Sequence, residues 1–187
     1  MQLLSNFIDE NMDISERDKK MLLFSINCIL YDVSKLLLFI LIFCLLHRLD
    51  LFLFAFVILL PLRMISGGLH FKHYTSCLFF SLGYFLIVTI PLAKISLPLL
   101  ILLPSLLLCL VINVLLGPIR SPSRPPLPEA EIIKCKKKTL LATCYGILLI
   151  ILFYNTKYAP VGYWTILLHS MQLIIAFLRK KRGERYA

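Results

Sequence analysis

Six apolar runs alternate with short polar segments along the chain. Residues 36–46, 51–62, 77–93, 97–117, 139–154 and 161–178 are almost free of charge. A helix needs roughly 20 apolar residues to cross a ~30 Å hydrocarbon core, with a lower range near 17. The third, fourth and sixth runs approach or reach that length alone. The first reaches it when extended back through NCILYDVSK, which brings Asp32 and Lys35 near or into the membrane. The second reaches it by running from Leu49 toward Ser66. The pattern predicts an all-α integral membrane protein with about six transmembrane helices, organised as a single domain over residues 1–187.

The first twenty residues, MQLLSNFIDENMDISERDKK, break this pattern. They have neither a basic leader nor an apolar core, so a cleavable signal peptide is not expected. Leu3, Leu4, Phe7, Ile8 and Met12 recur at helical spacing. An amphipathic N-terminal helix over residues 1–20 follows, lying on the membrane face or packed on its own protein.

Composition agrees with the pattern. The chain is 59% hydrophobic and 16% charged, whereas soluble domains run near a quarter charged. A net charge of +10 would point to nucleic acid in a soluble protein. Its distribution points elsewhere. With six spans and a cytoplasmic N-terminus, 17 of the 20 basic residues fall on the cytoplasmic side, and only Arg48, Lys94 and Lys157 fall opposite. The positive-inside rule then places both termini and the loops after the second and fourth runs in the cytoplasm. The basic clusters become topology signals and contacts to anionic lipid, and no nucleic acid partner is expected. The six cysteines show no paired close spacing, so a disulfide framework is not expected either.

Two polar segments remain. The loop at 117–138, GPIRSPSRPPLPEAEIIKCKKK, holds five prolines and six basic residues. Proline at this density stops a helix. The segment reads as a spacer carrying topology charge, or as a surface on which Arg120, Arg124, Lys136, Lys137 and Lys138 attract an acidic peptide. Within the spans, Asp32 and Lys35 lie three residues apart and neutralise each other. Asn27, Asn113 and His169 are read as hydrogen-bonding between helices.

Reactive groups concentrate in residues 63–77, RMISGGLHFKHYTSC, between two of the most apolar runs. A cysteine nucleophile needs its thiolate, which a nearby histidine supplies by taking the proton. Cys77, His70 and His73 are those ingredients. Gly67 and Gly68 permit a sharp turn and could lend amides to an oxyanion, and Arg63 adds a fixed positive charge. In one straight helix His73 and Cys77 would be neighbours at i and i+4, while His70 would lie ~10.5 Å away along the axis. His70 serves as the base only if the segment folds back and the helix starts near Tyr74 or Thr75, which also gives Cys77 the field of a helix N-terminus. The local reading prefers His73, and the second arrangement makes better chemistry. The pair of histidines in HFKH lacks the glutamate and third ligand of a zinc site; no metal and no cofactor is expected.

The spacing Arg-x4-Gly-x-His-x6-Cys, carried here by Arg63, Gly68, His70 and Cys77, resembles the conserved segment of the accessory gene regulator B family. Those proteins are bacterial membrane cysteine endopeptidases of peptide quorum sensing. Chain length, a polar N-terminal helix, about six spans and a proline-bearing basic loop after the fourth extend the resemblance over the whole chain. The loop here is richer in proline than the usual family form. The resemblance implies that His70 and Cys77 are the catalytic pair, with His73 the alternative base. It implies as substrate a small precursor peptide with an amphipathic leader and an acidic C-terminal tail. It further implies cleavage through an acyl-thioester, closure of a thiolactone or lactone, and a homodimer in the cell membrane. Ser66, Asn27, Asp32 and Asn113 are candidate orienters of the imidazole. A non-enzymatic peptide exporter or membrane scaffold is the alternative; it predicts that Cys77→Ala and His70→Ala leave function intact.

Overall fold

The computed structural model describes residues 16–69, 74–119 and 128–181, including all side chains there except those of 16–25 and 27–29. Its described residues are helical and form no named strand: α1 Glu16–Leu45, α2 Leu49–Ser66, α3 Tyr74–Thr89, α4 Leu99–Leu116, α5 Glu129–Leu152 and α6 Tyr158–Lys181, with a 3-10 turn at Leu92–Lys94. Each predicted apolar run thus falls on one helix. The chain divides into two compact units, residues 1–45 and 46–187.

The first unit contains α1. Residues 1–15, most of the predicted amphipathic helix, lie outside the described residues; residues 16–20 are the opening turns of α1, continuous with the first apolar run. Lys35 Nζ stands 3.2 Å from Asp32 Oδ1. The pair is an i,i+3 contact on one face of the helix, as the sequence predicted.

In the second unit α6 is the hub, packing against α2, α3, α4 and α5. Small residues let the backbones approach, which is how helices associate where lipid removes the hydrophobic drive. A Cβ at Gly162 would meet Ile150 Cγ1 at 2.7 Å, and one at Gly146 would meet Ile166 Cδ1 at 3.0 Å. These reciprocal contacts set α5 and α6 antiparallel. Ile58 reaches both glycines and ties α2 into the same core. Three prolines mark helix starts without taking a needed N–H: Pro98 caps α4, Pro128 caps α5, and Pro91 caps the 3-10 turn. Pro61 and Pro104 lie inside α2 and α4.

The outward surface is apolar. Leu100 is 87% exposed, Phe79 70% and Leu141 69%, which water would penalise and lipid does not. Among the described residues four helical segments are long and apolar enough to cross a bilayer: Leu49–Ser66, Tyr74–Lys94, Leu99–Leu116 and Tyr158–Lys181. The predicted six is therefore not matched by these four. In α5 the lysines at 134, 136, 137 and 138 leave only the stretch from Thr139 to Leu152 uncharged, shorter than the ~17-residue lower range.

The bundle has two chemically different ends. At one, Lys157 pairs with Asp50 and Tyr158 Oη donates to Asp50 Oδ2 at 3.3 Å. Nearby, Trp164 Nε1 donates to the Ile95 carbonyl at 3.1 Å. The hydrogen bond that Lys157 donates to the Asp50 carboxylate holds it above the ordinary lysine value. A cleft of about 530 Å³ opens at this end, lined by Lys94, Tyr154, Asn155 and Tyr163 among others. The other end gathers the last turn of α2 with Arg63, the start of α3, the end of α4, and the last turn of α6 with Arg179, Lys180 and Lys181. Because α5 runs antiparallel to α6, its lysines come to this end too.

Candidate active site

The end of α2 is held by a small number of specific bonds. Gly67 N–H donates to the Arg63 carbonyl at 3.2 Å, closing the helix. Gly67 then takes φ +80°, the region that favours glycine. A β-bridge joins Gly67 to Ile119, and a Cβ at Gly67 would lie 2.0 Å from the Ile119 carbonyl oxygen. Glycine is required twice here, by conformation and by space. At Gly68, which is buried, a Cβ would meet no atom within 4 Å, and only its φ of +154° calls for glycine.

Ser66 is the junction of this region. Its backbone carbonyl accepts from Ile119 N–H at 2.9 Å. Its hydroxyl donates to the Leu62 carbonyl at 2.6 Å and stands 2.8 Å from His169 Nε2. A hydroxyl has one proton, and the carbonyl can only accept. The network therefore assigns the Nε2 proton to His169, which donates to Ser66. Both residues are fully buried. One residue further along α6, Ser170 Oγ contacts Asn113 Oδ1 at 3.1 Å and the Ile166 carbonyl at 2.9 Å. Gly117 closes the ring, since a Cβ there would lie 3.2 Å from Ser66 Cβ. His169 Nδ1 and Asn113 Nδ2 are buried without a hydrogen-bond partner among the described residues.

Beyond the glycines, Leu69 is buried with Ile119 of the following bridge and with Leu173 and Ala176 of α6, and Phe80 packs on the same cluster. Cys77, one turn before Phe80, is half-buried in the first described turn of α3. Its thiol is not in a disulfide, and the same holds for Cys44, Cys109, Cys135 and Cys144.

The predicted site residues therefore divide into two groups. Arg63, Gly67, Gly68 and Cys77 all come to one end of the bundle. The half-buried Arg63 charge lies within electrostatic reach of Tyr84 and His169. His70 and His73 lie outside the described residues, as do Arg120 and Arg124. Of the lysines assigned to the substrate tail, Lys136 is half-buried and Lys137 and Lys138 are exposed on α5. Asp32 is engaged with Lys35, and the Asn27 side chain lies outside the described residues. Among the described residues no three His, Cys, Asp or Glu side chains gather as metal ligands.

Sequence reasoning assigned His169 and Asn113 to interhelical bonding but did not pair His169 with Ser66. The signal was present: two polar residues in otherwise apolar runs. Their 103-residue separation gave no clue to the pairing.

Comparison with known proteins adds to this geometry. The family model described as accessory gene regulator B matches residues 1–174. An AgrB-like protein of Clostridium beijerinckii is 37% identical over 82 residues, covering 44% of this chain and 41% of that protein. No solved structure matches.

Proposed function

The chain belongs to the accessory gene regulator B family, and from that premise we propose that it is a membrane cysteine endopeptidase of agr quorum sensing, acting on a small precursor peptide. Cys77 is the nucleophile and His70 the general base. Cys77 Sγ gives its proton to His70 and attacks the carbonyl carbon of the peptide bond before the acidic tail. The C–N bond breaks, His70 returns the proton to the leaving amine, and the N-terminal fragment stays on Cys77 as a thioester. A cysteine or serine side chain within that fragment then attacks the thioester. The ring closes as a thiolactone or lactone, and the Cys77 thiol is regenerated.

One observation carries this reading: Leu69 and Phe80 share a hydrophobic cluster. His70 follows Leu69 by one residue, ~3.8 Å of chain, and Cys77 precedes Phe80 by one helical turn, ~4.5 Å along the axis. Leu69 and Phe80 thus flank the proposed pair in sequence from one cluster, which supports His70 over His73 as the base.

The substrate enters from the cytoplasmic side in this account. Its amphipathic leader lies on the bilayer, and its acidic tail meets Lys136, Lys137 and Lys138 with Arg120 and Arg124. The concentration of described basic residues at the Cys77 end, against Arg48, Lys94 and an Asp50-paired Lys157 at the other, supports that orientation. A thioester survives to cyclise only where water is scarce, and apolar helices around Cys77 provide such a place. The enzyme acts as a homodimer.

Co-expression with a candidate precursor peptide that has an amphipathic leader and an acidic tail, followed by mass analysis, tests the reading. The expected product is the N-terminal fragment one water lighter than its linear acid, absent when Cys77→Ala replaces wild type. Unprocessed precursor beside a well-folded, membrane-inserted wild type would refute it.

A further inference from the structure

We propose that His169 and Ser66 are positioning residues, a cross-bundle clasp that holds the glycine turn and so fixes where the chain departs toward His70. This deepens the Cys77–His70 reading and rests on it.

The clasp has three connected bonds. His169 Nε2–H donates to Ser66 Oγ at 2.8 Å, Ser66 Oγ–H donates to the Leu62 carbonyl at 2.6 Å, and Ile119 N–H donates to the Ser66 carbonyl at 2.9 Å. Together they join α6, the last turn of α2 and the segment after α4 at one residue. The next residue is Gly67, whose positive φ has no slack against Ile119. Two residues further, Leu69 is buried against α6 at Leu173 and Ala176, one and two turns beyond His169. The turn is thus pinned at its start by polar bonds and at its end by apolar packing, both against the same helix.

An imidazole at zero exposure needs a reason. Burying it costs more than burying a leucine of similar size, which would fill the space without a polar atom. What a leucine cannot do is fix register. Apolar helices slide over one another at little cost, whereas a directed hydrogen bond selects one relative height, and in a water-poor setting its loss leaves a buried group unmatched. Misplacement by about 1 Å at a catalytic pair lowers rates on the order of a hundredfold. The bond at Ser66, four residues before His70 in sequence, acts at that scale.

The test needs no peptide. Full-length protein in membrane mimetic is pulsed with iodoacetamide, and modification of Cys77 is read by peptide mass spectrometry. Amide exchange of the Gly67–Leu69 stretch is followed in parallel. The proteins compared are wild type, His70→Ala, His169→Leu, Ser66→Ala, His169→Gln and Thr165→Val. Glutamine keeps an N–H donor near the Nε2 position. Thr165 is buried one turn away on α6 and bonds only within its own helix through its hydroxyl, so its substitution reports general loosening.

Alkylation of Cys77 is expected to slow several-fold in His70→Ala, and equally in His169→Leu and Ser66→Ala, which also exchange faster at Gly67–Leu69. His169→Gln and Thr165→Val are expected to behave as wild type in both measurements. The clasp is overturned if His70→Ala slows alkylation while His169→Leu and Ser66→Ala do not. It is overturned equally if His169→Gln and Thr165→Val are impaired as much as His169→Leu. Should His70→Ala itself leave alkylation unchanged, the catalytic pairing fails instead. Exchange then decides the clasp: acceleration in His169→Leu and Ser66→Ala alone upholds it, and no acceleration rejects it.

Discussion

Alanine at Gly67 would put a methyl group 2.0 Å from the Ile119 carbonyl oxygen at a φ of +80°. The left-handed backbone alone costs roughly 1–2 kcal/mol for a residue with a Cβ, and the overlap adds to it because backbone cannot swing away as a side chain would. Gly67→Ala is therefore expected to lower the unfolding temperature in detergent and to abolish processing, whereas Gly68→Ala, which carries the backbone strain of φ +154° without the steric overlap, keeps part of both. Equal loss in the two variants would contradict the assigned geometry. At this scale the sequence was informative about chemistry and poor about partners. Two adjacent glycines announce a turn, and Gly67 and Gly68 both take positive φ there; cysteine near histidine is a less specific signal, since both types also serve in packing. That Gly67 faces Ile119, or that Ser66 meets His169, depends on how distant helices stack, and no local spacing encodes it.

The elements followed the hydrophobic pattern closely, one helix for each apolar run, since a backbone in lipid must satisfy its own hydrogen bonds and a helix does so within the segment. Their packing did not follow from the pattern. Leucine-rich runs look alike on every face, and the faces are distinguished by Gly146 and Gly162, which only the assembled bundle shows to be opposite Ile166 and Ile150. Gly162→Ala is expected to cost about 1–3 kcal/mol by overpacking. Ile150→Val in the same chain should restore part of it, giving a non-additive cycle; additive effects would mean that the contact does not carry the packing. A second element-level expectation concerns α5. Replacing Lys136, Lys137 and Lys138 together by glutamine should raise the half-saturating concentration of precursor peptide and flatten its salt dependence, leaving the maximal rate of acylation nearly unchanged. A fall in maximal rate with unchanged half-saturation would place these lysines in the chemistry rather than in docking.

In the second unit, residues 46–187, the two ends differ in charge. The Cys77 end carries Arg63, the α5 lysines and the basic close of α6, while Lys157 at the far end is neutralised by Asp50. Single cysteines at positions 137 and 155, in a background lacking the native thiols, should label from opposite faces of sealed vesicles, with position 137 on the cytoplasmic face. Labelling from one face would mean that α5 does not cross. The span count was the least legible feature at this scale. A tract such as Lys134–Leu152 begins in a charged surface and ends in lipid, and hydropathy cannot say how much of it the bilayer covers. The central claim is that Cys77 carries the peptide as a thioester with His70 as its base. Intact mass spectrometry of the purified protein, incubated with its precursor peptide in membrane mimetic, tests it most directly. The account predicts a hydroxylamine-labile adduct equal to the N-terminal fragment in wild type and His73→Ala, and none in Cys77→Ala or His70→Ala. An adduct that persists in His70→Ala and vanishes in His73→Ala would contradict it.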